Sequence, residues 1–266
     1  VLDREHDNLR AALRWAGDHD AELYMRLASS LWRFWWTRGH LTEGRGWLEQ
    51  ALALAGPPGS SPFRPKTLYA AASLVWPTGD SERARSLYGE CLSGARAAGD
   101  TRLVAQTLNG LGAVAANQRE PAASRSYFEE MLELSRALGD KRLISVALNN
   151  LGTMAYHRDE IAGAREVFVQ ALELDRQEGH QHGIIYKLAN LGEMTFQEGD
   201  FEVSERYFRE CLASAEELAN KRIIAVCFEG FGALAARRGD WWRAARLAGA
   251  AGALRASIGL PEPDER

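Results

Sequence analysis

The sequence predicts an all-α protein, a right-handed α–α superhelix of six forty-residue helical hairpins behind an N-terminal capping helix. Three observations carry this reading. Similar segments recur at a fixed forty-residue step with no insertion. Each splits into two stretches whose apolar residues fall at helical spacing, and glycines and aspartates punctuate the stretches. A period this regular marks a solenoid, in which each hairpin buries its apolar face against its neighbours.

The copies align as follows. LNNLGTMAYHRDEIAGAREVFVQALEL begins at Leu148, LNGLGAVAANQREPAASRSYFEEMLEL at Leu108, LANLGEMTFQEGDFEVSERYFRECLAS at Leu188 and FEGFGALAARRGDWWRAARLAGAAGAL at Phe228. The earlier copies begin at Leu68 and Ala28. The expected organisation is a capping helix over residues 1–19 and repeats over 20–59, 60–99, 100–139, 140–179, 180–219 and 220–260, with a polar tail at 261–266.

In each first helix, residues such as Leu148, Leu151, Gly152 and Ala155 share one face. The place of Gly152 is held by Gly112, Gly192 and Gly232, with Ala72 and Trp32 in the first two copies. Glycine inside a helix costs about 1 kcal/mol against alanine, so its recurrence calls for close packing there. Gly39, Gly79, Gly199 and Gly239 suit the left-handed position that ends a helix. Asp80, Asp200 and Asp240 then cap the second helices, and Pro121 fits a first helical turn. Asp20, Ser60, Asp100, Asp140 and Asn220 precede first helices as caps. Second helices pair a large with a smaller apolar residue: Phe128 with Met131, Phe168 with Ala171, Phe208 with Cys211. The stretch GPPGSSPFRP, residues 56–65, reads as a loop in place of one helix start, and Pro77 shortens the end of that helix. The eight tryptophans read mostly as hairpin filling.

Composition narrows function. A formal net charge of -4 argues against direct contact with nucleic acid, which needs a basic surface. No run of eighteen apolar residues suits a membrane. Cys91, Cys211 and Cys227 lie within apolar helical patterns, as expected of buried free thiols in a cytoplasmic protein. Asp and Glu fall on polar helix faces, no Ser, His and Asp arrangement emerges from spacing, and His180 and His182 form a loop HxH without a third ligand. No enzyme, cofactor or metal is therefore expected. The phosphate loop GxxxxGK[ST] is absent from this stretch.

These residues resemble the tetratricopeptide repeat. Leu108, Leu111 and Gly112 meet its first-helix signature, and Ala164, Phe168, Ala171 and Leu172 its second. The forty-residue length resembles the kinesin-light-chain-like subgroup. The opening LDREHDNLRAALRWA and the closing RAARLAGAAGALRASIGLP also look like the two ends of the repeat region in bacterial LuxR-type and AfsR-type signal-transduction ATPase regulators. That resemblance implies a sensor excised from a longer chain. It would bind a peptide, protein or small inducer and act on the parent's own ATPase domain. A constitutive scaffold or self-association module is the alternative.

In the resembled family the first helices form the inner surface. Counting from the residue after the first core position predicts a groove lined by Arg33, Trp36, Tyr69, Trp76, Asn109, Asn149, Asn150, Tyr156, Asn190, Glu193 and Phe196. Aromatic residues supply contact area with few rotatable bonds, and asparagine offers a peptide unit both donor and acceptor. The same aromatics also suit packing between repeats. Arg102, Arg142, His182 and Arg222 recur at helix starts, either as an anion-binding edge or as solvated helix ends. Trp241 and Trp242 either cover the end of the stack or dock a missing segment.

Overall fold

Residues that cap, turn and pack at a forty-residue step do so in the computed structural model, which describes residues 4–258 apart from 58, 60 and 159, and leaves the side chains of 161 and 162 undescribed. The expected cap at Ser60 and the tail at 261–266 lie outside the described residues. The fold is all-α, with no strand among the described residues. The chain divides into two units, Val1–Gly139 and Asp140–Arg266.

Unit 1 holds α1 (His6–His19), α2 (Ala21–Arg38), α3 (Leu41–Leu54), α4 (Arg64–Val75), α5 (Ser81–Ala97), α6 (Thr101–Asn117) and α7 (Pro121–Ala137). Pro77 ends α4 early, and Trp76–Thr78 continues as a single 3-10 turn. Unit 2 holds α8 (Lys141–Tyr156), α9 (Ile161–Gln177), α10 (Gln181–Gln197), α11 (Phe201–Glu217), α12 (Lys221–Arg237) and α13 (Trp241–Ser257). First helices begin at Thr101, Lys141, Gln181 and Lys221, so the sequence period is also the helix period.

The caps act as their chemistry requires. Asp20, Asp80, Asp100, Asp140, Asp200, Asn220 and Asp240 each accept a hydrogen bond from the backbone N–H three residues on. Gly39, Gly79, Gly199 and Gly239 end helices at φ between 76 and 87°. Arg119 and Ala219 hold equivalent turns at φ 61 and 50° without being glycine. The spacing did not announce this strain.

Phe128, Phe168 and Phe208 fill the hairpins, each at most 3% exposed. A Cβ added to Gly112 would lie 2.4 Å from the Phe128 ring, and one on Gly192 2.9 Å from Phe208. The hairpin closes at glycine because the aromatic ring rests on bare backbone. Gly152 is looser, at 3.2 Å from Phe168, and Gly232 meets only ordinary contacts at 3.5 Å or more. Ser124 and Ser204 reinforce two hairpins by donating to the Gly112 and Gly192 carbonyls at 2.9 and 2.7 Å. Phe208 also faces the next hairpin, where a Cβ on Gly230 would lie 2.4 Å from its ring. One side chain thus spaces two hairpins.

Outer polar faces are tied by ion pairs between successive second helices: Arg96 to Glu130 within unit 1 and Arg176 to Glu210 within unit 2, both at 2.5 Å. Such half-exposed pairs contribute at most about 1 kcal/mol each. The end helices are held by two-pronged clasps. Arg10 donates to both oxygens of Glu43 at 2.7 and 2.8 Å, fixing α1 to α3. Arg255 does the same to Glu229, fixing α13 to α12.

Several expectations are corrected. Of the eight tryptophans only Trp35 is fully buried; Trp15 is 56% exposed, and Trp241 and Trp242 70% each. Indoles on end helices meet a neighbour on one side only. Trp32, aligned with the hairpin glycines, is half-buried, because a ring of that size cannot enter the space a glycine leaves. Leu151 is half-buried where its counterparts Leu111 and Leu191 are buried. His180 and His182 do not form a loop: His180 is the residue before α10 and His182 lies in its first turn. The acidic residues do not all face water, since Asp175 is 0% exposed.

Candidate ligand-binding site

The first helices of unit 1 enclose a cavity of about 500 Å³. Ser29, Ser30, Trp32 and Arg33 of α2 form one wall, Lys66 and Tyr69 of α4 the second, and Asp100, Arg102, Leu103 and Gln106 the third, at the start of α6. The Trp32 ring meets Tyr69 edge to face at 5.7 Å and Trp36 at 6.4 Å. The Arg33 guanidinium lies over Trp32, 5.3 Å from the ring centroid. Burial pushes the Tyr69 phenol above its ordinary pKa, and nearby Arg33 pulls it the other way. Asp100 is committed to the α6 end, capping Leu103 at 3.0 Å, with its other oxygen 4.0 Å from the Lys66 ammonium.

Unit 2 has a smaller cavity of about 310 Å³, lined by Glu193, Phe196 and Gln197 of α10, Phe208 of α11, and Val226, Glu229, Gly230 and Ala233 of α12. Phe196 also packs on Phe201 at 5.4 Å, so it is wall and core at once. Three predicted amides meet beside one another. Asn190 donates to Asn149 at 3.3 Å, linking α10 to α8, and Asn149 lies 3.5 Å from Asn150.

The predicted positions therefore divide. Arg33 and Tyr69 line the unit 1 cavity; Glu193 and Phe196 line that of unit 2. Trp36 is exposed on α2 beside Trp32, Trp76 is half-buried in the 3-10 turn, and Asn109 is half-buried on α6. Tyr156 stacks obliquely on His157 at 5.7 Å and packs against the unit 2 core. The prediction missed Trp32, Lys66, Arg102 and Gln106 as a group. Lys66 and Gln106 sit one turn before the positions counted, and Trp32 was assigned to the hairpin interior. The signal was present: a tryptophan stands where four later copies have glycine.

A second polar cluster lies between α9 and α10. Asp175 Oδ2 is 2.9 Å from Lys187 Nζ and its Oδ1 3.0 Å from His180 Nδ1. Lys187 is only 3% exposed, and burial lowers its pKa against the pull of Asp175. A Cβ on Gly183 would fall 2.1 Å from the carboxylate. Neighbouring copies carry Leu103, Leu143 and Ile223 at the place of Gly183, and Thr107, Ala147 and Cys227 at the place of Lys187. With Asp175 itself standing where neighbouring copies have Ala95, Ser135 and Ala215, three departures from the repeat make room for one buried ion pair. The three cysteines are buried and free; Cys91 meets Thr107 Oγ1 at 3.2 Å, and burial raises its thiol pKa to about 11.

Among the described residues no group of three or more His, Cys, Asp or Glu is disposed to hold a metal ion, and no helix is long and apolar enough to cross a membrane.

Residues 103–177 and 186–222 match models of the tetratricopeptide repeat. No curated protein sequence matches the chain. Among solved structures, the fold is similar to BtubC (BKLC) from P. vanneervenii, with 20% identity and a TM-score of 0.61 over 93% of this chain and 95% of that one. It is similar to a Rap protein complexed with competence and sporulation factor, at 12% identity and a TM-score of 0.67 over 90% and 76%. It is also similar to a signal transduction ATPase with numerous domains and a tetratricopeptide repeat sensor, from Pyrococcus horikoshii. Identity there is 16% and the TM-score 0.68, over 92% of this chain and 38% of that one. Those two stretches thus carry tetratricopeptide repeats, within an all-α fold of stacked helical hairpins.

Proposed function

We propose that the chain is a non-catalytic ligand-binding sensor module of a bacterial signal-transduction regulator of the LuxR/AfsR kind. It takes a peptide, protein or small inducer on the face of its first helices and acts on the regulator's own ATPase domain. The observation that carries this is the cavity in each unit, walled by first-helix side chains that include Arg33 and Tyr69 in one and Glu193 and Phe196 in the other. The similar Rap protein bound to competence and sporulation factor, and the similar repeat sensor of an ATPase, support the same reading.

A ligand shifts such a module only by binding one of its shapes more tightly than another. Replacing the exposed cavity residues Arg33 and Glu193 together with alanine in the full-length gene product is expected to abolish its response to inducer; an unchanged response overturns the reading. An adjoining coding sequence for a phosphate-loop ATPase is also expected. The second reading, a self-associating scaffold, is favoured by Trp241 and Trp242 on α13, each 70% exposed. It expects a mass by light scattering that rises with protein concentration, and a constant mass removes it.

A further inference from the structure

The unit 2 cavity departs from the repeat in its charge. Its described lining holds two carboxylates, Glu193 and Glu229, and no Lys, Arg or His. The place of Glu193 is Thr153, Ala113, Ser73, Arg33 or Ala233 in the other copies. The place of Glu229 is Ala189, Asn149, Asn109, Tyr69 or Ser29. No other copy has a carboxylate at either place. The two acids differ in what answers them. Both oxygens of Glu229 accept from Arg255, at 2.7 and 2.8 Å, so its charge is met from α13. Glu193 has no hydrogen bond or ion pair among the described residues. Arg237, one turn beyond Ala233 on α12, lies over the Phe201 ring at 5.2 Å. One carboxylate is therefore left unanswered at the cavity.

Much of the rest of the lining is apolar. Phe196 and Val226 are half-buried walls, and Ala233 adds to them. Gln197 brings an amide one turn after Glu193. A divalent metal ion suits this arrangement poorly, since it needs six or so oxygen ligands and finds one uncommitted carboxylate beside hydrocarbon. The volume of about 310 Å³ lies at the small end of the range for pockets that take small molecules.

We infer that this cavity binds a small organic monocation, with its ammonium on Glu193 and its apolar body against Phe196 and Val226. The inference rests on reading the first-helix face as a ligand-binding face, and it specifies what enters there. An aromatic ring such as Phe196 favours a cation through the negative face of its π-system. Glu193 is exposed, so water and salt screen its pull. Selectivity then requires charge and apolar contact in the same molecule.

Calorimetric titration of the intact chain tests this with 2-phenylethylamine as the probe, 2-phenylethanol as the uncharged control and hexalysine as a basic peptide. Binding of the amine, weakening with added salt and absent for the alcohol, is the expected result. Glu193→Gln is expected to weaken that binding about tenfold, the loss of one charge-assisted hydrogen bond. Glu217→Gln, at an exposed position of α11 outside the cavity lining, is expected to leave it unchanged. The inference is overturned if the alcohol binds as well as the amine, if Glu193→Gln has no effect, if Glu217→Gln weakens binding as much, if the amine does not bind, or if hexalysine alone binds. The sensor reading fails separately, through an unaltered inducer response in the Arg33 and Glu193 double variant, and that response does not depend on these probes.

Discussion

Unit 1 and unit 2 are built from the same hairpin and differ in the polar residues that it carries. In unit 1 the cavity collects Arg33, Lys66 and Arg102, and the junction between α5 and α6 buries Ala95 and Thr107. In unit 2 the cavity collects Glu193 and Glu229, and the corresponding junction between α9 and α10 buries Asp175 and Lys187. The ring-on-glycine contacts are shared by both. The repeat thus fixes backbone and core through a few positions and leaves others free to carry charge.

The largest expected effect tests the buried pair. Lys187→Met leaves the Asp175 carboxylate inside unit 2 without its counter-ion, which costs about 3–5 kcal/mol. The double variant Asp175→Ala, Lys187→Thr restores the residue types of the unit 1 junction and is expected to recover most of that loss. Chemical denaturation of the single and double variants decides it; a double variant no more stable than the single would break the comparison.

Next come the glycines. Gly112→Ala in unit 1 drives a methyl into the Phe128 ring and is expected to cost about 1–3 kcal/mol. Gly232→Ala in unit 2 meets only ordinary contacts and is expected to gain up to about 1 kcal/mol from helix propensity. Opposite shifts in denaturation midpoint sharpen the contrast between a filled and an open hairpin.

The α1 clasp responds to acid. Hydrogen bonding from Arg10 lowers the Glu43 pKa to about 2, from 4.5. A folded-state pKa below the unfolded one means stability that is fully present above pH 4.5 and is lost as pH falls toward about 2. Melting temperature followed across that window is expected to fall more steeply in the parent protein than in Glu43→Gln, which has no carboxylate to protonate. Equal slopes would exclude the clasp as a source of acid sensitivity.

The smallest effect concerns a turn. Ala219→Gly relieves a left-handed backbone at φ 50° and is expected to stabilise by about 1 kcal/mol or less, read as a small rise in melting temperature.

The helices and their caps were legible because each depends on residues three, four or forty apart in the chain; the recurring glycines announced a close approach without naming the phenylalanine that makes it. Burial was less legible where the repeat is interrupted. The spacing that places Leu111 in the core also places Leu151 there, yet Leu151 is half-buried, since burial depends on what the neighbouring copy supplies. The cavities were half legible. Tyr69 and Phe196 follow from counting along one helix face, whereas the grouping of Trp32, Lys66 and Arg102 depends on three helices meeting. The ion pair of Asp175 and Lys187 shows in the sequence only once Gly183 is seen to be missing a side chain its counterparts possess.

Phe208 has a consequence for how unit 2 holds together. Its ring bears on Gly192 of its own hairpin and Gly230 of the next, and it also forms part of the cavity wall. It works as a wedge shared by two hairpins, with its ring almost wholly buried. A substitution that shrinks this ring would therefore loosen two hairpins at once, one through Gly192 and the other through Gly230.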